Sequence, residues 1–541
     1  MKVRRKSALV WITAVAASGC LALILGCSER GRARKEGVRR GSKALAGAEA
    51  GGPPPAHGGT DTVNDAAFDA MFFKNYGVNP FVDTDEDHLS TFAVDVDTGS
   101  YTLCRSYLNR GALPEPDAVR VEEFVNYFDY WYKPPAEEAF AIHNAVAPSK
   151  FGRDKLLMRV GLQGRVIDAS ERKDAVLTFV IDISGSMARE NRLGLVKRAL
   201  RMLVDELRGA DEVGIAVYGS SGREVLSHCS LDERGQIINA IGELESGGST
   251  NAEEGLVIGY KMARRAFRKG AINRVILCSD GVANVGRTGP DSILKQIKKH
   301  AGEGITLSAV GFGMGNYNDV LMEQLGDKGN GHYAYVDTLA EAKRVFVENL
   351  TGTLQVIARD VKVQVDFNTE TVRSYRLIGY ENRDVADEDF RDDRVDGGEV
   401  GSGHSVTALY ELKLWPDKTG RLATIYVRHK HPETGETTEV KRDIGTGDAA
   451  ASFDNADPSL RLAACAAEFA EILRHSYWAR EGSLDDVLAL AKKCESDFDR
   501  RDDVKEFTTL VAKAKQLGGD KWSKAHRGAE PEEKSKSNEA D

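Results

Sequence analysis

Three short segments of this 541-residue chain carry oxygen donors at spacings suited to gripping one hard cation. Asp182-Ile183-Ser184-Gly185-Ser186 sets a carboxylate and two hydroxyls two residues apart on a glycine-containing turn, directly after the apolar run Val176–Ile181. Gly247-Gly248-Ser249-Thr250-Asn251 opens a helical stretch and presents another hydroxyl, Thr250. Leu277-Cys278-Ser279-Asp280-Gly281 ends a later apolar run and presents a second carboxylate, Asp280. Asp-x-Ser-x-Ser alone is also an ordinary N-cap turn; the three pieces together are more specific. Donors that are all oxygen suit Mg²⁺ or Mn²⁺ better than zinc, and Mg²⁺ wants six of them in an octahedron.

Such residues converge only if a sheet brings them to one edge. Residues 173–352 alternate strand-like runs (Val176–Ile183, Val213–Val217, Val275–Leu277, Ile305–Val310) with amphipathic helices. In Leu193–Leu207 the apolar positions Leu195, Val196, Ala199, Leu200, Leu203 and Val204 recur at helical spacing. That rhythm predicts an α/β fold, a mainly parallel sheet with helices on both faces, whose ligands bind outside the carboxyl ends of the strands.

The flanking regions differ in texture. Residues 66–136 read as a small globular domain with helices around Tyr101–Arg110 and Val121–Phe128, and Thr91–Val96 as a strand before them. Residues 137–172 hold two strands, and residues 353–450 five more, at 358–367, 372–380, 405–414, 421–430 and 437–444. These flanking strands are expected to pair into one antiparallel β-domain, which would make the α/β unit an insertion. Residues 451–520 read as helical, with Asp457-Pro458 as N-cap and N1 proline and Ser483 with Asp486 as a capping box. Residues 521–541 are charged and expected to be disordered.

The three oxygen-bearing segments resemble the metal-ion-dependent adhesion site (MIDAS) of von Willebrand factor A (VWA) domains. Asp182, Ser184, Ser186, Thr250 and Asp280 match its five positions in order, with no departure in residue type. The resemblance implies a Rossmann-like domain whose Mg²⁺ keeps one position open for an Asp or Glu of a protein partner. Asn79-Pro80-Phe81, the stretch Thr91–Tyr101 and residues 353–520 further resemble the regions flanking this domain in a family of bacterial lipoproteins.

The N-terminus fits that family. Lys2, Arg4, Arg5 and Lys6 precede the almost wholly apolar Ser7–Gly26, the pattern of a secretory signal. Ile24-Leu25-Gly26-Cys27 resembles a lipobox, with Cys27 as the lipidated residue; Ala17-Ser18-Gly19-Cys20 competes, and an uncleaved membrane anchor is the alternative reading. Residues 27–65 read as a flexible tether. Ser28 after the cysteine favours, by resemblance, the outer membrane of a Gram-negative envelope. Removing residues 1–26 takes away four cations and no acid, moving the formal charge from −10 to −14, which disfavours nucleic acid. Five scattered cysteines remain; Cys229 and Cys278 read as inert core residues, while Cys465 and Cys494 lie on neighbouring helices and could pair.

Weaker signals have bland readings. Asp95, Asp97 and Ser100 echo the metal motif but read as a capped turn entering the 101–110 helix. His429 and His431 read as surface histidines, and Gly311-Phe312-Gly313-Met314-Gly315, which lacks the third glycine of a dinucleotide fingerprint, as a loop. No Gly-x-Ser-x-Gly elbow, phosphate-binding Lys-Ser/Thr loop or His-Glu-x-x-His is present. The expected function is therefore metal-dependent capture of a protein at the cell envelope rather than catalysis. A structural protein with a stabilising ion is the alternative, and a metal-dependent hydrolase would need a general base that the motif does not supply.

Overall fold

The computed structural model describes residues 73–518, apart from 153, 169, 282–289, 314–316, 350, 351 and 353. The expected signal peptide, Cys27, the tether and the 521–541 tail lie outside the described residues. Among the described residues no helix is long and apolar enough to cross a membrane.

In chain order the first elements are β1 (Val82–Asp83), β2 (Leu89–Ala93), α1 (Gly99–Asn109), α2 (Val121–Asn126) and the pair β3 (Phe140–Pro148) and β4 (Leu156–Gly164). The α/β unit follows with β5 (Ala175–Asp182), α3 (Arg192–Glu206), β6 (Glu212–Tyr218), β7 (Gly222–Ser230), α4 (Arg234–Gly242) and α5 (Ala252–Arg265). It continues through β8 (Ile272–Ser279), α6 (Pro290–Gly302), β9 (Ile305–Phe312), α7 (Asp319–Lys328), β10 (Tyr333–Val336) and α8 (Leu339–Lys343). Then come β11 (Val356–Phe367), β12 (Val372–Ile378), β13 (Gly398–Gly401), β14 (Ser405–Leu414), β15 (Arg421–Lys430) and β16 (Thr437–Gly445), and finally α9 (Pro458–Leu473), α10 (Leu484–Asp497) and α11 (Asp502–Gly518).

The α/β sheet has the order β10-β9-β8-β5-β6-β7. All its pairings are parallel except that of β7 with β6. Every residue of β5 and β9 is buried, as a strand covered on both faces requires. The edge strand β7 is half-exposed throughout and lacks apolar alternation, which is why its sequence does not announce it.

The remaining strands form two antiparallel sheets, β1-β12-β14-β4-β3 and β13-β11-β15-β16, with β2 on β11. They share one core that includes Phe92, Met158, Val363, Tyr410 and Ile425. β4 precedes the α/β unit and β14 follows it, yet the two pair from Ser405–Gln163 to Leu412–Leu156. The chain therefore leaves this sheet after β4, builds the α/β unit and returns. Helices α9 to α11 pack with α1 and α2 into a third body of apolar contacts, including Tyr101, Phe124, Phe469 and Phe507. Asp457 and Ser483 cap α9 and α10 through their side chains.

Several expectations need correction. The early strand ends at Ala93, and the helix that Asp457-Pro458 opens, expected over 458–477, stops at Leu473, just before His475 takes a left-handed φ of 59°. Cys465 and Cys494 are buried free thiols. His429 is no surface residue: it is 6% exposed and set edge-on against Phe140, and burial pushes its imidazole down to about 4. Asp95 does fold the turn, its Oδ1 accepting from the Asp97 backbone N–H (2.9 Å), but none of the three caps α1: Thr98 holds the N-cap position without a side-chain bond. Asp97 accepts instead from the Tyr333 backbone N–H (3.0 Å), Asp95 accepts from Arg383 (3.0 Å), and Ser100 donates to the Ala118 carbonyl (2.6 Å). The echo of the metal motif thus fastens the N-terminal segment to the edge strand β10 and to the β-domain.

Glu468 on α9 is buried beside Glu471 and Glu411, and burial first, then those neighbours, push its carboxyl up to about 8. The unfolded chain ionises this group near the ordinary value of 4.5. The native state therefore loses stability as pH rises from about 4.5 to 8, where the unfolded state has already released the proton. Glu468→Gln should melt with the wild type at pH 4.5 and progressively above it towards pH 8, by a few kcal/mol at most, in calorimetric scans across that range.

Candidate functional site

The site forms at the carboxyl edge of the α/β sheet because β5 and β8 are parallel neighbours, paired up to Ile181–Cys278. Asp182 is the last residue of β5, and Asp280 immediately follows β8. Both are buried, at 0% and 5% exposure. The turn after β5 is folded by Asp182 itself, whose Oδ1 accepts from the Ser184 backbone N–H (2.8 Å). That bond brings the Ser184 and Ser186 hydroxyls within 3.0 Å of each other. The loop carrying Thr250 is pinned to the same turn by backbone bonds from Gly247 N to Ile183 O (2.7 Å) and from Gly185 N to Gly248 O (3.0 Å). Gly248 has a φ of +86°, and a Cβ there would meet the Ser220 hydroxyl, so the close approach of the β6–β7 turn favours glycine. Asn251 then caps α5 by accepting from Glu254 N.

Three residues without a role in the sequence reading complete the site. Ser279 donates to Asp182 Oδ2 (3.2 Å), and the buried Tyr218 lies beside both. Arg192, the first residue of α3, donates from Nη1 to Asp280 Oδ2 at 2.7 Å, both side chains being 6% exposed. No sequence signal marks Arg192, since a cation at the start of an amphipathic helix looks the same whether it faces solvent or a carboxylate.

Electrostatics favour a cation here. Burial first, then the charge of Asp280, raises the Asp182 carboxyl to about 6. Two buried carboxylates with one guanidinium therefore hold uncompensated negative charge at neutral pH. Among the described residues no three His, Cys, Asp or Glu side chains converge on a metal position. Ser184 and Ser186 bring hydroxyls beside Asp182, and with Thr250 on the neighbouring loop the donors would all be oxygen, a set that fits Mg²⁺ or Mn²⁺.

Comparison with known proteins agrees with this architecture. Residues 177–372 match the von Willebrand factor type A domain, residues 67–159 match a von Willebrand factor segment model, and residues 352–421 and 413–517 match the C-terminal region of uncharacterized protein YfbK. Human inter-alpha-trypsin inhibitor heavy chain H3 is 29% identical over 33% of this chain and 21% of its own length. A von Willebrand factor type A structure from Catenulispora acidiphila is 18% identical, covering 68% of this chain and 88% of that one with a TM-score of 0.41. Uncharacterized protein YfbK of Escherichia coli (strain K12) is 37% identical over 79% of this chain and 78% of its own length. With that similarity running through most of both chains, this protein belongs to the YfbK family and carries a von Willebrand factor type A domain set within its β-domain.

Proposed function

We propose that this protein is a cell-envelope lipoprotein, anchored through Cys27, that binds a protein partner through Mg²⁺ or Mn²⁺ held by Asp182, Ser184, Ser186, Thr250 and Asp280. The observation that carries this reading is the buried Asp182–Asp280 pair at the ends of adjacent strands, with the Ser184 and Ser186 hydroxyls 3.0 Å apart on the turn after Asp182. When bound, the ion supplies a Lewis-acidic position for an anionic oxygen. The chain's own residues orient that position: Ser279 and the Ser184 backbone N–H fix Asp182, and Arg192 fixes Asp280.

Charge counting explains the preference for an acidic partner. Two carboxylates neutralise a divalent ion, so Arg192 leaves one positive charge in a buried setting. An Asp or Glu side chain from the partner cancels it, and only a paired carboxylate repays the loss of its hydration. Arg192→Gln keeps a donor for Asp280 but removes the surplus charge. It should tighten Mg²⁺ binding about tenfold and weaken retention of an acidic ligand, both measured by calorimetry.

The direct test is titration of Mg²⁺ and Mn²⁺ into the purified chain, with melting curves in excess metal and in chelator. Saturable binding with little change in melting supports a ligand-gripping ion. A melting temperature that collapses in chelator would make the ion structural, and no binding at millimolar metal would reject the site. Membrane fractionation of Cys27→Ser tests the anchor: an unchanged membrane fraction would reject it.

A further inference from the structure

Asp182 does not stand alone on its face of the α/β sheet. Tyr218, the last residue of β6, is its register partner on one side. On the other side β8 runs parallel with Cys278 opposite Ile181, which sets Ser279 beside Asp182. Register partners on neighbouring parallel strands project to the same face, their backbones about 4.8 Å apart. Tyr218, Asp182 and Ser279 therefore form a row across three strands at the carboxyl edge, and all three are fully buried. α5 covers this face through two glycines: a Cβ on Gly255 would collide with the Tyr218 ring, and one on Gly259 with Val180, two residues before Asp182. The helix thus holds the phenol ring in place. The Tyr218 carbonyl accepts from Ile183 N (2.8 Å), which ties the end of β6 to the turn carrying Ser184 and Ser186.

The row is unevenly satisfied. Asp182 Oδ1 accepts from Ser184 N (2.8 Å), and Oδ2 accepts from the Ser279 hydroxyl (3.2 Å). Ser279 in turn accepts from the Gly281 backbone N–H (3.2 Å). The Tyr218 hydroxyl is buried beside Asp182, Asp280 and Ser279, yet it meets no partner at hydrogen-bonding geometry among the described residues. An unpaired buried hydroxyl is costly, and phenylalanine would fill the same space without that cost. The neighbour that makes use of a phenol here is a carboxylate, to which a hydroxyl donates more strongly than to a neutral oxygen.

We infer that Tyr218 is a positioning residue of the metal site, its hydroxyl donating to the Asp182 carboxylate when a divalent cation is bound. This inference rests on the metal-binding reading above. An ionised carboxylate offers about four acceptor positions. Ser184 N and Ser279 take two of them, Tyr218 takes a third, and the last is left for the ion. A carboxylate held in this way is ordered before the ion arrives, whereas a freer one must be ordered on binding. Tyr218 acts on the ion only through Asp182, so it changes affinity for the metal without touching the partner.

The test titrates Mg²⁺ by calorimetry into the full chain, Tyr218→Phe and Ser279→Ala, and melts each of them in chelator. Ser279→Ala removes a donor already bonded to Asp182 and sets the scale of the effect. Tyr218→Phe should bind Mg²⁺ about 10-fold more weakly. In chelator it should melt at or above the wild-type temperature, because it sheds an unpaired buried hydroxyl. A purely structural tyrosine would show the reverse, a lower melting temperature with unchanged affinity. Tyr218→Phe binding Mg²⁺ as tightly as wild type overturns the role of Tyr218 and leaves the metal site standing. Weaker binding together with a lowered melting temperature in chelator also overturns it, since packing would then be at fault. No Mg²⁺ binding by the wild type overturns this inference and the metal-binding reading together.

Discussion

Asp182→Asn should lower Mg²⁺ affinity at least ~100-fold and leave the metal-free protein as stable as wild type or more so. The asparagine keeps an oxygen to accept from Ser184 N, so the turn after β5 survives. What it loses is a carboxylate held about two pH units above its ordinary range by burial and by Asp280. An acid whose native value is raised costs the folded state stability as pH climbs from about 4 to 6, and at pH 7.5 the full cost is present. Neutralising it removes that cost in chelator. In 10 mM Mg²⁺ the order reverses, because only the wild type gains from ion binding, by an amount that grows with the logarithm of metal over Kd. Calorimetric melting of both proteins with and without Mg²⁺ gives four temperatures. A variant that retains the wild-type Mg²⁺ shift would sink the assignment of Asp182 as a ligand.

Arg105→Met should cost about 3–5 kcal/mol, the largest single stability effect expected in the described fold. Arg105 on α1 is 3% exposed and reaches Asp337 and Glu341 of the VWA unit and Glu506 of α11. It also donates to the Tyr127 hydroxyl at 2.7 Å. Methionine fills much of the volume but leaves Asp337 and Glu341, buried at α8, with one fewer cation. Arg344, which bonds Glu341 at 2.8 Å, offsets only part of this. Urea denaturation at pH 7 should show a lower midpoint with an unchanged slope. Adding Asp337→Asn and Glu341→Gln should recover much of the loss, since stranded charge rather than packing is its cause. If the triple variant is no better than Arg105→Met, the deficit is one of packing. Arg120 with Glu123 and Asp319, and Arg383 with Asp95 and Asp327, tie α7 to the same surroundings. The VWA unit is thus held to its neighbours by buried ion pairs as well as by its strand connections.

The turn that carries Asp182, Ser184 and Ser186 was legible because its geometry is local. A carboxylate ending a buried, mostly apolar strand, followed two residues on by Ser-Gly-Ser, folds its own turn through one backbone bond, and nothing distant needs to be known for that turn. The alternation of buried strands with amphipathic helices likewise declared the parallel sheet. The flanking strands could be expected to pair because β4 and β14 both alternate or run apolar on either side of the inserted unit, and the register from Leu156 to Gln163 joins them.

Tertiary structure alone decided what lies between distant segments. Arg192 meets Asp280 across 88 residues, and Asp97 meets the Tyr333 backbone across 236. A charge on a helix's first turn, or an Asp in a loop, carries no mark of whether it will face water or a buried partner. His429 alternates in a strand like any half-polar position until the second sheet closes over it. Composition and spacing thus determined the strands and helices of the α/β unit and the turn that carries Asp182. The burial that raises Asp182, the guanidinium that shares Asp280, and the closing of α5 over Tyr218 arise only when separate faces pack, because desolvation and charge pairing are properties of the folded neighbourhood rather than of the residue.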